Sequence, residues 1–177
     1  YLLRTIFEAR GFEVATAGNG LEALELARSG PPDVVVSDIL MPTMDGFSLL
    51  REWHRDERLK RIPVIIYTAT YTDPKDEELA LALGAARFIV KPIDPDAFIA
   101  VVNRAMEEFS AGRVDVPPSS IDQNEVFYRM YNEALIRKLE KKLLDLEREK
   151  REHEESQRAL ESLARQWQAT FDAIEDG

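Results

Sequence analysis

The sequence predicts an α/β fold, a doubly wound parallel sheet, followed by one long helix. Two observations carry this. Up to about residue 109, short β-branched runs alternate with stretches of helical spacing. From Ser120 to Asp176 there is neither Pro nor Gly, so a single helix can run the whole way. At 177 residues the chain is long enough for one compact domain with an extension, or for two small domains.

The elements follow in order. The chain opens at Tyr1 directly on helical spacing (Leu2, Leu3, Ile6, Phe7), with neither an initiator Met nor a signal-peptide pattern, and natural residues are expected ahead of it. Strands are expected at residues 13–16, 33–38, 62–68 and 87–90, the middle two being continuously apolar as strands covered on both faces should be. Between them lie helix signals: Asn19 as N-cap with Glu22 three residues later, Asp73-Pro74 as cap and first turn with Gly84 at the far end, and Asp94-Pro95. Residues 110–120, with Pro117-Pro118, lack periodicity and read as a linker that ends the domain of residues 1–109.

The helix of residues 121–174 has Ser120/Gln123 or Asp122/Glu125 available as a capping box, and it is expected to stay out of the first domain's core. Its apolar residues repeat in sevens. One seam row is Ile136, Leu143, Lys150, Gln157, Ala164 and Phe171; the other is Leu139, Leu146, His153, Leu160, Trp167 and Ile174. Charges of both signs fill the other faces, so a parallel two-stranded coiled coil, a homodimer, is the expected state. The consecutive polar layers Lys150, His153 and Gln157 loosen the seam at its middle.

Composition narrows the function. Hydrophobic residues are 45% and charged residues 32%, enough core formers to exclude a disordered polyampholyte. A net charge of −10 excludes a nucleic-acid binder that relies on phosphate attraction. There are no cysteines, which removes disulfides, thiolate metal sites and thiol nucleophiles, and a cytoplasmic location is expected. The longest apolar runs, such as Val64-Ile65-Ile66-Tyr67, are far shorter than the ~18 residues of a membrane span.

In an open parallel sheet, ligands sit beyond the carboxyl ends of the strands. Asp38, Thr68 and Lys91 close three of the expected strands, so a carboxylate, a hydroxyl and an ammonium converge on one edge. A carboxylate can accept a phosphoryl group, an ammonium offsets the charge it brings, and a hydroxyl can hydrogen-bond a phosphoryl oxygen.

Ser37-Asp38-Ile39-Leu40-Met41-Pro42-Thr43-Met44-Asp45-Gly46, then Thr68-Ala69, then Phe88-Ile89-Val90-Lys91-Pro92 resembles the response-regulator receiver domain of two-component signalling over residues 1–109. The resemblance implies a flavodoxin-like sheet. It also implies roles: Asp38 as phosphoacceptor, Thr68 as switch hydroxyl, Lys91 as phosphate-binding lysine, Phe88 as aromatic switch, and the Leu40 backbone carbonyl beside Asp38 as ligands of Mg²⁺. The implied partner is a sensor histidine kinase or a phosphotransfer protein. The family's first strand, ending in an acidic pair that binds Mg²⁺, is expected upstream of Tyr1. In the family's strand order 2-1-3-4-5 that strand is interior, so residues 13–16 would need it as a neighbour.

The residues from Trp167 to Gly177 resemble the helix leading into a PAS sensor domain, and the Asp176-Gly177 stop suggests that a further domain starts at 175–177. A haloacid-dehalogenase-like phosphatase would need a second Asp two residues after Asp38, where this chain has Leu40. A degenerate receiver that only scaffolds a coiled coil is the remaining alternative. His54, in a charged stretch after Trp53, is expected to be a solvated helix residue, and His153 a polar seam residue.

Overall fold

The computed structural model describes the backbone of residues 2–112 and 124–175 and the side chains of residues 3–112, 128–161 and 163. The elements are α1 (Leu2–Glu8), α2 (Gly20–Ser29), β1 (Val35–Ser37), α3 (Gly46–Arg55), β2 (Val64–Thr68), α4 (Pro74–Ala82), β3 (Arg87–Val90), α5 (Pro95–Ser110) and α6 (Asn124–Glu175). The sheet is three-stranded and parallel in the order β1-β2-β3. Its register sets Val36 opposite Ile65, Ile66 opposite Phe88 and Thr68 opposite Val90.

The helix punctuation falls where the sequence puts it. Asn19 Oδ1 accepts from the Glu22 N–H at 3.0 Å, and Glu22 Oε2 accepts from the Gly18 N–H at 2.7 Å, one residue ahead of the cap. Asp73 and Asp76 form a capping box around Pro74. Gly84, at φ +96°, turns the chain out of α4, and the Ala85 N–H donates to the Ala80 carbonyl at 2.9 Å, closing a Schellman turn that a residue with a Cβ would strain. Asp94 Oδ1 caps α5 by accepting from the N–H groups of Asp96 and Ala97.

Alternation along β2 divides the core. Val64 and Ile66 join Leu24, Ile39, Phe47, Leu50, Trp53 and Leu79, under α2, α3 and α4. Ile65 joins Phe7, Ile89, Phe98 and Val102, under α1 and α5. Both faces of the sheet are thereby covered, as the continuous apolar runs of the strands require.

Two expectations are corrected. Residues 13–16 form no strand. An extended segment becomes a strand only by exchanging hydrogen bonds with a neighbour, and among the described residues the sheet is β1-β2-β3 with no partner for residues 13–16. The long helix also does not stay clear of the first domain. One compact unit runs Tyr1–Ala134 and a second Leu135–Gly177. Within the first, Ala134 is buried in the α2–α4 core, and Met130 and Tyr131 pack against it. These three residues share one helix face by their spacing of three and four.

The capping boxes expected at Ser120/Gln123 and Asp122/Glu125 lie outside the described residues, as does the possible domain start at Asp176 and Gly177. In the second unit Ile136, Leu139, Leu143, Leu146 and Leu160 of the seam are exposed; the side chains of Ala164, Trp167, Phe171 and Ile174 lie outside the described set. No helix among the described residues is long and apolar enough to cross a membrane.

Candidate functional site

Asp38 follows β1 directly. Its Oδ1 accepts from the Ile39 N–H at 2.7 Å and, more weakly, from the Leu40 N–H at 3.4 Å, which fixes the carboxyl at the strand's end. Lys91 follows β3, tied in by its own N–H to the Thr68 carbonyl at 2.8 Å. Its Nζ donates to Asp38 Oδ2 at 2.6 Å and lies 4.9 Å from the centre of the Tyr67 ring. Thr68, the last residue of β2, is fully buried, and its Oγ1 accepts from the Thr70 N–H at 3.2 Å.

The three residues predicted from strand ends are therefore brought together at one sheet edge. Side-chain exposure of 33% for Asp38 and 32% for Lys91 leaves the pair open to a reactant. Burial pushes the Asp38 pKa up, but hydrogen bonds from Lys91 and Thr68, the Lys91 charge and the Ile39 N–H outweigh it and hold the carboxyl below its ordinary value. The carboxylate is ionised at neutral pH.

The loop from Asp38 to Gly46 is built tightly. Ile39's carbonyl accepts from the N–H groups of Met41 and Gly46, and the Met44 N–H turns back to the Pro42 carbonyl at 2.6 Å around Thr43, whose φ is +63°. Positive φ at a β-branched residue is strained. At Gly46 a Cβ would lie 2.5 Å from the Asp38 carbonyl oxygen, so only glycine lets α3 start this close to the site. The Gly20 N–H bonds the Met44 carbonyl at 3.0 Å, pinning the start of α2 to the same loop.

Phe88 sits on β3, partly buried against the α2–α4 core. Leu40 is 64% exposed just beyond Asp38. Asp38 and a neighbouring carbonyl fit part of the octahedral oxygen shell of Mg²⁺. Among the described residues no group of three acidic or His side chains could hold a metal ion by itself.

Sequence reasoning missed two groups. His54 is not solvated: its Nδ1–H donates to the Leu50 carbonyl at 3.0 Å, and its ring lies so close to Gly84 that a Cβ there would meet Nε2 at 2.4 Å. The signal was present, because Leu50, Trp53 and His54 share the spacing of a buried helix face. Asp45 caps α3, its Oδ1 accepting from the Ser48 N–H at 2.8 Å, while its Oδ2 accepts from the Tyr131 hydroxyl. His153 stands on α6 with Gln157 Nε2 donating to its Nε2 at 3.1 Å.

Comparison with known proteins agrees with this geometry. The sequence pattern of the response regulator receiver domain matches residues 1–103. The chain is 42% identical over 106 residues to the regulatory protein AtoC of Escherichia coli, covering 60% of this chain and 22% of AtoC. It is 39% identical over 101 residues to the polar-differentiation response regulator DivK of Brucella anthropi, covering 57% of this chain and 81% of DivK. In three of the curated relatives the match spans 58%, 22% and 42% of the relative's length. Among solved structures, the signal receiver domain of a histidine kinase from Syntrophus aciditrophicus superposes with a TM-score of 0.55 at 35% identity, over 60% of this chain and 80% of that one. With the matching pattern over more than half its length and the carboxylate, hydroxyl and ammonium gathered at one sheet edge, the chain belongs to the response regulator receiver domain family.

Proposed function

We propose that Asp38 takes a phosphoryl group from the phosphohistidine of a sensor histidine kinase or a phosphotransfer protein, and that the phosphorylated state is relayed through a parallel homodimer of α6. The observation that carries the reading is the 2.6 Å pair of Lys91 Nζ with Asp38 Oδ2 at the strand ends, beside buried Thr68. In this reading a carboxylate oxygen attacks phosphorus, the new O–P bond forms as the donor's P–N bond breaks, and the leaving imidazole nitrogen keeps the electron pair and takes a proton from water. Lys91 moves from the carboxylate to the phosphoryl oxygens and offsets their charge. Thr68 hydrogen-bonds a phosphoryl oxygen, and Phe88 follows it as the aromatic switch. Mg²⁺, held by Asp38, the Leu40 carbonyl and the expected upstream acidic pair, would add positive charge at the same oxygens.

The receiver occupies residues 1–109, the linker 110–120 and the signalling helix 121–174, with 175–177 leading toward a further domain such as PAS. The exposed leucines of α6 support the second copy: Leu139, Leu143, Leu146 and Leu160 lie on one heptad seam. A cytoplasmic setting suits a cysteine-free chain that trades phosphoryl groups with a kinase. A degenerate receiver acting only as a scaffold is less well supported, since it has no need of an ionised Asp38 paired with Lys91.

The test is incubation with a small phosphodonor and Mg²⁺, in a chain carrying the acidic-ended strand ahead of Tyr1. A stable adduct on Asp38 is expected. Continuous release of phosphate at a phosphatase's rate, or no reaction, would overturn the reading.

A further inference from the structure

We infer that the output surface of this receiver is the N-terminal end of α3 together with the loop after Thr68, and that its occupant is the chain's own Tyr128–Ala134 segment. The inference rests on the phosphoacceptor reading of Asp38.

The contact is specific. Asp45 divides its carboxylate: one oxygen caps α3 and the other accepts from the Tyr131 hydroxyl. Burial and the Asp45 charge push the Tyr131 pKa far up, so the hydroxyl remains a donor at any physiological pH. Nearly two turns further along α3, Arg51 Nη1 donates to the Tyr128 hydroxyl at 3.3 Å, its guanidinium 5.6 Å from the centre of that ring. Ala134, only 2% exposed, belongs to the core cluster against which Tyr131 packs.

This surface touches both halves of the site. Asp45 ends the loop that starts at Asp38. Tyr71, 4% exposed, follows Thr68 by three residues, and its N–H points at Thr68 Oγ1 at 3.5 Å. The rings of Tyr71 and Tyr131 both meet Phe47 edge-on, at 5.5 and 6.3 Å. When Thr68 Oγ1 shifts from the bare carboxylate to follow a phosphoryl oxygen, the Thr70 and Tyr71 N–H groups that donate to it must follow or lose it, and the loop moves. In a close-packed core Tyr71 cannot shift without displacing Phe47 or Tyr131. Occupancy of Asp38 therefore loosens the docked turns of α6, and by reciprocity, loosening those turns stabilises the occupied state.

The test is amide hydrogen exchange on the full chain with the acidic strand ahead of Tyr1, without and with Mg²⁺ and beryllofluoride, a phosphoryl mimic. Fluorine NMR reports whether the mimic is bound. Exchange over residues 128–134 should accelerate by about fivefold or more when it binds. Tyr131→Phe, which keeps the ring and removes one hydrogen bond, should accelerate the same amides without the mimic and tighten its binding by a similar factor. Bound mimic with unchanged exchange, or a Tyr131→Phe chain with unchanged mimic affinity, would overturn the coupling and leave the Asp38 reading standing. No bound mimic would overturn both.

Discussion

Thr43 shows how the site's chemistry shapes single residues. Its φ of +63° and the Met44-to-Pro42 hydrogen bond wrap the chain into a γ-turn between Asp38 and α3, a conformation that disfavours a β-branched side chain. Thr43→Gly should therefore raise unfolding free energy by about 1 kcal/mol, read from the urea midpoint at constant slope. His54 gives a pH signature. Burial holds its pKa below the ordinary 6.5, and its Nε2 is buried without a hydrogen-bond partner among the described residues. Above 6.5 both folded and unfolded forms are neutral; as pH falls the unfolded chain takes the proton first, so stability declines until pH passes the lower folded value. Between pH 7.5 and 5.5 the wild-type urea midpoint should fall more than that of His54→Gln, which does not titrate; equal falls would assign the loss to other groups.

At the scale of elements, what was legible in the sequence was local. Asp73-Pro74, Asp94-Pro95 and Gly84 mark helix ends through hydrogen bonds to residues within a few positions, so composition alone reveals them. Strand 87–90 agreed with β3 residue for residue because its apolar run and the following Lys91-Pro92 are likewise local. Asp38, Thr68 and Lys91 could be found because strand ends in a parallel sheet converge by topology. Residues 13–16 failed because a strand depends on a neighbour outside the segment's own sequence. The Tyr131–Asp45 bond was invisible for a related reason: its partners are 86 positions apart and nothing in either local pattern announces the other. Helix α3 depends on that carboxylate. Asp45→Ala should cost about 1 kcal/mol from the lost cap, and more once the Tyr131 hydroxyl loses its acceptor. A double-mutant cycle with Tyr131→Phe isolates the second part, and strict additivity would show that the hydroxyl and the Asp45 carboxylate do not stabilise each other.

Over the whole molecule, a receiver edge bearing the Asp38 carboxylate is joined to a helix whose leucine seam is exposed in a single copy. If that seam is covered by a second chain, sedimentation should give a dimer of the 20.2 kDa chain at tens of micromolar, and changing Leu139 and Leu146 together to Asp should dissociate it. A wild-type monomer would remove the dimer from the account. The central claim is that Asp38 is the acceptor, and phosphoryl transfer from a phosphohistidine donor tests it most directly. With the acidic strand ahead of Tyr1, the wild-type chain should gain the mass of one phosphoryl group, and Asp38→Asn, folded by circular dichroism, should gain none. Labelling of the Asn chain at the wild-type rate would contradict the claim and move the acceptor elsewhere.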